Sequence, residues 1–348
     1  MLAGPCSAIE PDSTRFTASA KLTLHMHPSE VLFQGRQQPV YLPVCDHYAG
    51  SEKLMLKSLV LQQELGPVFD ITLDCEDGAG AGDEEAHARR VAALISGTEN
   101  HHGRVGVRVH DVGSEFFEQD VALICKTAAK HLAYLVIPKI EDAAELVQAI
   151  TIVNRHAKKG GRSNLPIHVL IETHGALAAV HSIAAIPQVE CLSFGIMDFV
   201  SAHYGAIPAS AMRTPGQFTH PLVTRAKLEI SAACHAHGKV PSHNVTTEIK
   251  DTAVVANDAT RACAEYGYTR MWSIHPDQIK PILKSLSPRN SEINEATQIL
   301  TGAQQAQWAP IIHNGRLHDR ASYRYYWTLL QRAKSSGLPL PETASALL

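Results

Sequence analysis

The chain has 348 residues, of which 45% are hydrophobic and 19% are charged, and its formal net charge is −3 at pH 7. This composition is that of an ordinary globular protein, and the absence of a Lys/Arg run argues against a nucleic-acid partner. No stretch approaches the ~18 uninterrupted apolar residues of a membrane span, so we expect no membrane association.

The cysteines predict a reducing compartment. They are odd in number, dispersed and without a C-x-x-C pair, which fits core thiols better than a disulfide framework. They are Cys6, Cys45, Cys75, Cys125, Cys191, Cys234 and Cys263. Residues 1–38 lack the apolar core of a signal peptide and are expected to form an N-terminal arm. We therefore expect a cytoplasmic protein.

From Val40 onward, short apolar runs alternate with longer amphipathic stretches. The runs are rich in Val, Ile and Leu without strict alternation, which is typical of parallel strands buried on both faces. They are "VYLPV" (40–44), "FDITLD" (69–74), "VGVRVH" (105–110), "YLVIPK" (134–139), "IHVLIE" (167–172), "ECLSFG" (190–195), "KVPS" (239–242) and "RMWSI" (270–274).

The stretches between these runs carry apolar residues at helical spacing, as in "SEKLMLKSLVLQQEL" and "DAAELVQAITIVNRHAKK". Eight strand–helix alternations favour an α/β fold of the (β/α)8 TIM-barrel type over residues 39–288. A doubly wound open sheet is the competing fold, but no G-x-G-x-x-G follows the first strand. Residues 289–348 then predict a C-terminal helical extension with a short turn at "HNGRLHDR".

Polar residues collect where the predicted strands end, which is the functional face of a TIM barrel. The second strand runs into three acids within four residues, and charged residues follow several other strands. They are Asp74, Glu76, Asp77, Arg108, Lys139, Glu172 and Asp198. Any one of them could simply begin a loop, but their joint placement predicts an active site.

Glu172 and Asp198 each follow an apolar strand, in "HVLIET" and "LSFGIMDF". Two carboxylates on adjacent strands, without nearby Cys or clustered His, suit a hard cation such as Mg²⁺, with Mn²⁺ as a possible substitute. The alternative is that each carboxylate caps its helix or pairs with a basic neighbour.

Arg108 lies in an apolar strand, where an unpaired guanidinium is costly. It could pair with Glu76 or Asp77, and its fork could also grip a carboxylate or an enolate oxygen. Lys139 could form a Schiff base, but an ion pair with the same acids is the preferred interpretation. The alternative role for Glu76 and Asp77 is direct ligation of the metal.

The motifs together resemble the citrate lyase β-subunit-like family of the HpcH/HpaI aldolase superfamily. The resemblance covers about residues 40–332 and rests on an ordered series of short segments. They are "LDCEDGAG", "VRVHD", "VIPKIEDAAEL", "VLIETHGAL", "LSFGIMDF", "TRAKLEISAACHAHG" and "SIHPDQIKPI". The resemblance implies a TIM barrel and Mg²⁺-dependent, reversible carbon–carbon cleavage of 3-hydroxyacyl-CoA thioesters such as citryl-, malyl- or citramalyl-CoA. A 2-keto acid and an acyl-CoA are then the reaction partners.

The family's metal-binding glutamate and aspartate match Glu172 and Asp198, and its substrate-contacting arginine matches Arg108. Glu76 and Asp77 match the acids behind the site, where we expect them to orient Arg108 and Lys139.

In relatives, an aspartate of a C-terminal motif reaches a neighbouring subunit's site, and "GRLHDR" places Asp319 there. The resemblance therefore also implies a homo-oligomer, a trimer or hexamer, with residues 289–348 packed on a neighbouring subunit. Asp319 is the expected proton donor, and it would also be decisive if the thioester were hydrolysed.

Three segments depart from the family's pattern. "LPVCDHYAGSE" replaces the strand-1 motif that helps to bind substrate or CoA, and His110 replaces an asparagine after Arg108. His243 and Asn244 follow strand 7, where they are expected to alter the pocket wall. These departures leave two alternatives open: a metal-dependent aldolase acting on free 4-hydroxy-2-keto acids, and a barrel subunit without catalytic activity.

Overall fold

The computed structural model describes residues 27–35 and 38–348. Most of the predicted N-terminal arm therefore lies outside the described residues. The described residues divide into two compact units. The larger unit consists of Gln38–Pro288 and Arg332–Pro339, and the smaller consists of Arg289–Gln331 and Leu340–Leu348 with the described part of residues 1–37.

The predicted TIM barrel is confirmed. Eight parallel strands pair in chain order and close between the first and the last. They are β1 (Cys45–Ala49), β2 (Asp70–Asp74), β3 (Val105–Arg108), β4 (Leu135–Ile137), β5 (Ile167–Ile171), β6 (Val189–Phe194), β7 (Val240–His243) and β8 (Arg270–Ser273).

Helices follow the strands around the barrel, and one short helix precedes it in the chain. They are α1 (Pro28–Phe33), α2 (Glu52–Leu65), α3 (Glu84–Ser96), α4 (Phe117–Ala128), α5 (Ala143–Lys159), α6 (His174–Ala178), α7 (Val180–Ala184), α8 (Ile196–Ser201), α9 (Pro221–Ala236), α10 (Thr252–Tyr266) and α11 (Pro276–Leu286). Two short 3₁₀ helices, Ala209–Met212 and Gly216–Phe218, lie before α9. Side-chain caps fix several helix starts: Asp142 accepts from the N–H of Glu145, and Thr173 accepts from that of Ala176.

The core lies between the strands and the surrounding helices, where Val, Ile, Leu and Ala side chains are fully buried. The barrel interior is different, because it contains aromatic and charged side chains. Arg270 on β8 is completely buried and pairs with Asp46 on β1 at 3.1 Å and with Asp70 on β2 at 2.6 Å.

The predicted first strand, 40–44, is wrong by about one strand length, because β1 is Cys45–Ala49. The apolar run "VYLPV" contains a proline, which cannot donate to a ladder. The true strand, "CDHYA", is polar because its Asp46 faces Arg270 inside the barrel. A search for apolar runs misses such a strand, because its buried charged residue is paired with a residue that is distant in the sequence.

The segment after the barrel contains α12 (Asn290–Gln305), α13 (Arg320–Ser335) and α14 (Glu342–Leu347). The predicted turn is a two-stranded antiparallel hairpin, β9 (Ile311–His313) and β10 (Arg316–His318), so the extension is not purely helical. Asn314 and Gly315 form its tip with positive φ angles of 48° and 73°, the conformation that Asn-Gly hairpins favour. Packing of this segment on a neighbouring subunit stays a prediction.

Among the helices of residues 27–35 and 38–348, none combines the length and the apolar content needed to cross a bilayer.

Candidate active site

The predicted site residues of the barrel lie at the carboxyl ends of adjacent strands. Asp74 is the last residue of β2 and pairs in register with Arg108, the last residue of β3. Lys139 and Glu172 follow β4 and β5, and Asp198 lies in the first turn of α8, directly after β6. Parallel strand order therefore gathers residues that are far apart in the chain at one mouth of the barrel.

Arg108 is held by a two-pronged contact with Asp74. Its Nε donates to Oδ1 at 2.7 Å and its Nη2 donates to Oδ2 at 2.6 Å. Its Nη1 lies 2.8 Å from Glu76 Oε2. Burial alone would lower the pKa of Arg108, but Asp74 and Glu76 raise it above its ordinary value, so the side chain stays charged.

The expected pairing of Arg108 with Glu76 or Asp77 is confirmed for Glu76, and Asp74 is a further partner that was not predicted. The Asp74 side chain is only 3% exposed and lies against Arg108, whereas the Asp77 side chain is 57% exposed. The backbone N–H groups of Glu76 and Gly78 also donate to Asp74 at 3.1 and 2.9 Å. The sequence could have indicated Asp74 as the buried partner, because it is the one of the three acids that belongs to the predicted strand 69–74.

The ion pair expected for Lys139 is confirmed. Its Nζ lies 2.7 Å from Glu76 Oε1 and 3.2 Å from Asp77 Oδ2. Burial opposes the charge, but Glu76 and Asp77 raise the pKa of Lys139 above its ordinary value. A Schiff base needs a neutral amine, so this environment disfavours that role.

Lys139 also holds Glu172 through its backbone. Its N–H donates to Glu172 Oε1 at 2.9 Å, and its φ angle is 51°. A left-handed conformation is uncommon for a lysine and costs free energy, so the surrounding contacts must hold it in place. This strained position is a feature that the sequence did not indicate.

Glu172 is 2% exposed, and its pKa is raised from 4.5 to about 8. Burial is the main cause, and the nearby charge of Asp198 is the next. Gly195 makes room for this carboxylate, because a Cβ there would come within 2.2 Å of Glu172 Oε2. Gly195 is a site residue that the sequence reasoning quoted but did not assign.

This donor set fits a hard divalent cation. A buried glutamate and a neighbouring aspartate repel each other, and a cation between them would relieve that repulsion. Within the described ranges, no group of three or more His, Cys, Asp or Glu side chains could hold a metal. Two carboxylates with water or substrate oxygens are the ordinary way in which proteins hold Mg²⁺.

The remaining predicted residues lie elsewhere. Asp319 is exposed in the smaller unit, where its Oδ1 accepts from the N–H of Ala321 at 2.9 Å at the start of α13. His110 Nδ1 lies 2.7 Å from Asp120 Oδ2 on α4. His243 and Asn244 are buried and hydrogen-bond with Nζ of Lys227, so their polar groups are used inside the fold.

Comparisons with known proteins identify a family and similar structures. The HpcH/HpaI aldolase/citrate lyase family model matches residues 54–276. An L-malyl-CoA/β-methylmalyl-CoA lyase of Cereibacter sphaeroides is 28% identical over 279 residues, covering 76% of this chain and 87% of its own. The crystal structure of a citrate lyase from Burkholderia xenovorans LB400 is 57% identical with a TM-score of 0.81, covering 93% of this chain and 100% of its own.

A more distant structure shares the fold. The protein CitE from Mycobacterium tuberculosis, in complex with magnesium, acetoacetate and coenzyme A, is 19% identical with a TM-score of 0.61. The likeness covers 86% of this chain and 99% of that one.

Proposed function

The chain belongs to the HpcH/HpaI aldolase/citrate lyase family and is a carbon–carbon lyase, and from this premise we propose that it cleaves or forms a 3-hydroxyacyl-CoA thioester with a bound Mg²⁺. Curated relatives named malyl-CoA and citramalyl-CoA lyases support this substrate class. The magnesium and coenzyme A of the distant CitE complex support the cofactor and the carrier.

Cleavage of such a thioester places two demands on the protein. The 3-hydroxyl loses a proton while the C2–C3 bond breaks, which leaves a keto acid and an acyl-CoA enolate. The enolate then takes up a proton to give the acyl-CoA. The site must therefore stabilise negative oxygen in the transition state, and it must accept the hydroxyl proton and deliver a proton to the enolate carbon.

Arg108 is suited to the first task. A guanidinium has five N–H donors in a fixed plane, and three of those on Arg108 are directed at Asp74 and Glu76. Two donors remain for a substrate carboxylate or enolate oxygen. Because the acids fix the plane of the group beforehand, Arg108 need not reorganise when charge develops.

Glu172 and Asp198 are the residues that would hold the Mg²⁺, which would supply Lewis-acid polarisation of the keto oxygen. The chain's own contribution is to fix Glu172 through the N–H of Lys139 and to leave space beside Gly195. The single observation that carries the proposal is that the buried Glu172 and the half-buried Asp198, two acids that repel each other, lie beside an arginine that Asp74 and Glu76 hold in place.

We assign the proton donor to Asp319 of a neighbouring subunit, so a homo-oligomer, trimer or hexamer, would complete the site. The exposure of Asp319 supports this assignment, because the carboxylate is accessible to a second chain.

Product analysis tests the proposal. We would supply Mg²⁺ with malyl-, citramalyl- and citryl-CoA and, in parallel, with free 4-hydroxy-2-keto acids. Metal-dependent release of an acyl-CoA from one thioester is the expected result and would name the substrate. Cleavage confined to the free acids would overturn the proposal in favour of the aldolase alternative, which the altered strand-1 segment "LPVCDHYAGSE" favours.

A variant tests the metal site. Glu172→Gln should keep the fold but lose Mg²⁺-dependent activity, with the exposed Glu64→Gln as the matched control. Full activity of the Glu172 variant would contradict the assigned role of the pair.

A further inference from the structure

A polar cavity lies at the amino ends of the barrel strands, opposite the candidate active site. Its volume is about 330 Å³. Asp70, the first residue of β2, lines it, and Arg104 lines it directly before β3. Since Asp70 and Asp74 are the two ends of β2, strand geometry separates this cavity from the Arg108 site by about 13 Å.

Three cationic side chains converge on the cavity: Arg104, Lys130 and Arg162. Arg104 has its Nε 2.8 Å from Asp70 Oδ1, an ion pair that leaves its two terminal nitrogens for other partners. Arg162 is fixed from behind, because its Nη1 donates to the carbonyl oxygens of Ala129 and Leu132.

Lys130 and Arg162 have no carboxylate within ion-pair distance among residues 38–348. The stem of Lys130 lies directly over Gly161, where a Cβ would come within 2.5 Å of Lys130 Cε. Because Gly161 has no side chain, the stem of Lys130 can pack closely against it beside the cavity.

Two carboxylates also line the cavity, but their charge is largely offset. Asp70 lies between Arg104 and the buried Arg270, whose Nη1 is 2.6 Å from Asp70 Oδ2. For Glu190, burial raises the pKa and opposes its negative charge. Counting Arg270 and its partner Asp46 on β1, four cations face three carboxylates, so the cavity retains positive charge.

Behind two of the lining residues, Tyr134 and Glu190, lies a buried polar group that makes no hydrogen bond within the described residues. His168 is 1% exposed, and neither ring nitrogen has a hydrogen-bond partner in the described part of the chain. Its ring stacks on Tyr134 at 3.8 Å, and its Nε2 lies 4.0 Å from Glu190 Oε2. Both neighbours line the cavity, and a buried group of this kind usually has a water or ligand oxygen as its partner.

We propose that this cavity is a binding site for a small oxyanion, a phosphate group held by Arg104, Lys130 and Arg162. The phosphate is either the free ion or the head group of a phosphorylated metabolite. Guanidinium forks and a lysine ammonium are the groups that bind phosphate in proteins, and the volume admits an ion with a short organic remainder. The site is independent of the proposed lyase reaction.

Isothermal titration calorimetry of the full-length protein tests the proposal, with inorganic phosphate and glycerol phosphate as probes and chloride at equal ionic strength as the blank. Lys130→Glu is the test variant, because this lysine is exposed and makes no hydrogen bond or ion pair within the described ranges. Lys57→Glu on α2 is the matched control, since that lysine is also exposed and is not among the residues that line the cavity.

We expect Lys130→Glu to raise the Kd for phosphate by about tenfold or more, because an attractive charge becomes repulsive. Lys57→Glu should bind as the unchanged protein does, and both variants should keep the lyase kcat measured without phosphate. Tighter binding of glycerol phosphate than of phosphate would assign the site to a phosphorylated metabolite, and the reverse would assign it to the free ion. Equal Kd values in all three proteins, or heats no larger than those of chloride, would overturn the proposal.

Discussion

At the scale of single residues, the candidate site consists of charged side chains that stabilise one another. Each would be costly to bury without its partners. Asp74 and Glu76 are buried because Arg108 lies between them, and Lys139 is charged because Glu76 and Asp77 accept from it. Glu172 is the exception: within residues 27–35 and 38–348 only the N–H of Lys139 donates to its carboxylate, and its neighbour Asp198 is also an acid. The free energy of unfolding should therefore depend on whether Glu172 carries a proton.

The first prediction concerns pH. The pKa of Glu172 is about 8 in the folded protein and about 4.5 in the unfolded chain. Between these values the folded state holds a proton that the unfolded state has lost, so the free energy of unfolding falls as pH rises. The decrease is at most about 1.4 kcal/mol per pH unit.

Urea unfolding from pH 5 to pH 8, in the presence of a chelator, measures this slope. Glu172→Gln should remove most of it, and the exposed Glu64→Gln should leave it unchanged. An identical slope in the Glu172 variant would show that another group is responsible.

The second prediction concerns Arg108. Arg108→Lys keeps the charge but cannot reproduce the two parallel bonds to Asp74 together with the bond to Glu76. We expect kcat/KM to fall by about 10²–10³-fold, the usual cost of losing one donor to a developing oxyanion. Arg89→Lys, which changes an exposed ion pair on α3, is the control and should leave the kinetics unchanged. Activity within about twofold of normal would rule out an oriented guanidinium in the reaction.

At the scale of elements, the link between β6 and α8 determines whether Glu172 can keep its position. Gly195 follows β6 directly, and its backbone N–H donates to the carbonyl of Ile171 at 3.1 Å. The Glu172 carboxylate then lies against the Cα of Gly195 with no space for a side chain. The short α8 begins immediately afterwards and carries Asp198 in its first turn.

The third prediction follows from that contact. Gly195→Ala places a methyl group 2.2 Å from Glu172 Oε2 and 2.6 Å from its Cβ, so the glutamate must move. We expect the Mg²⁺ concentration for half-maximal activity to rise at least about tenfold, because metal sites tolerate little displacement of a ligand. Gly80→Ala is the control, since a Cβ there meets nothing within 4 Å. Equal Mg²⁺ dependence in the two variants would contradict the role of Gly195.

At the scale of the whole barrel, a buried ionic cluster that lies away from the candidate active site joins strands on the two sides of the closure. Arg270 on β8 contacts Asp46 on β1 and Asp70 on β2, and its Nη1 also donates to the carbonyl of Pro43 at 2.6 Å. The contacts join the last strand to the first two. Removal of one partner would leave buried charges without compensation.

The fourth prediction tests this cluster. Arg270→Met should lower the free energy of unfolding by about 3–5 kcal/mol, because Asp46 and Asp70 lose their buried partner. Arg225→Ala, which breaks an exposed pair with Glu229 on α9, should cost less than about 1 kcal/mol. Urea unfolding of both variants gives the comparison. A loss below 1 kcal/mol for Arg270→Met would mean that the cluster does not hold the barrel closed.

The sequence by itself determined the architecture and most of the strands. Seven of the eight predicted strands coincide with β2 to β8, because strands buried on both faces are read as local apolar runs bounded by helices. The same local order placed Arg108, Glu172 and Asp198 at strand ends, which in a parallel barrel share one mouth.

Only the tertiary structure decided which groups meet there. The position of β1, the choice of Asp74 over Asp77 as the partner of Arg108, and the space beside Gly195 each depend on a residue from another strand. The left-handed backbone of Lys139 likewise depends on contacts with Glu76 and Glu172. Local patterns carry the period of a strand or a helix, whereas burial and pairing of charge arise only when distant segments are packed together.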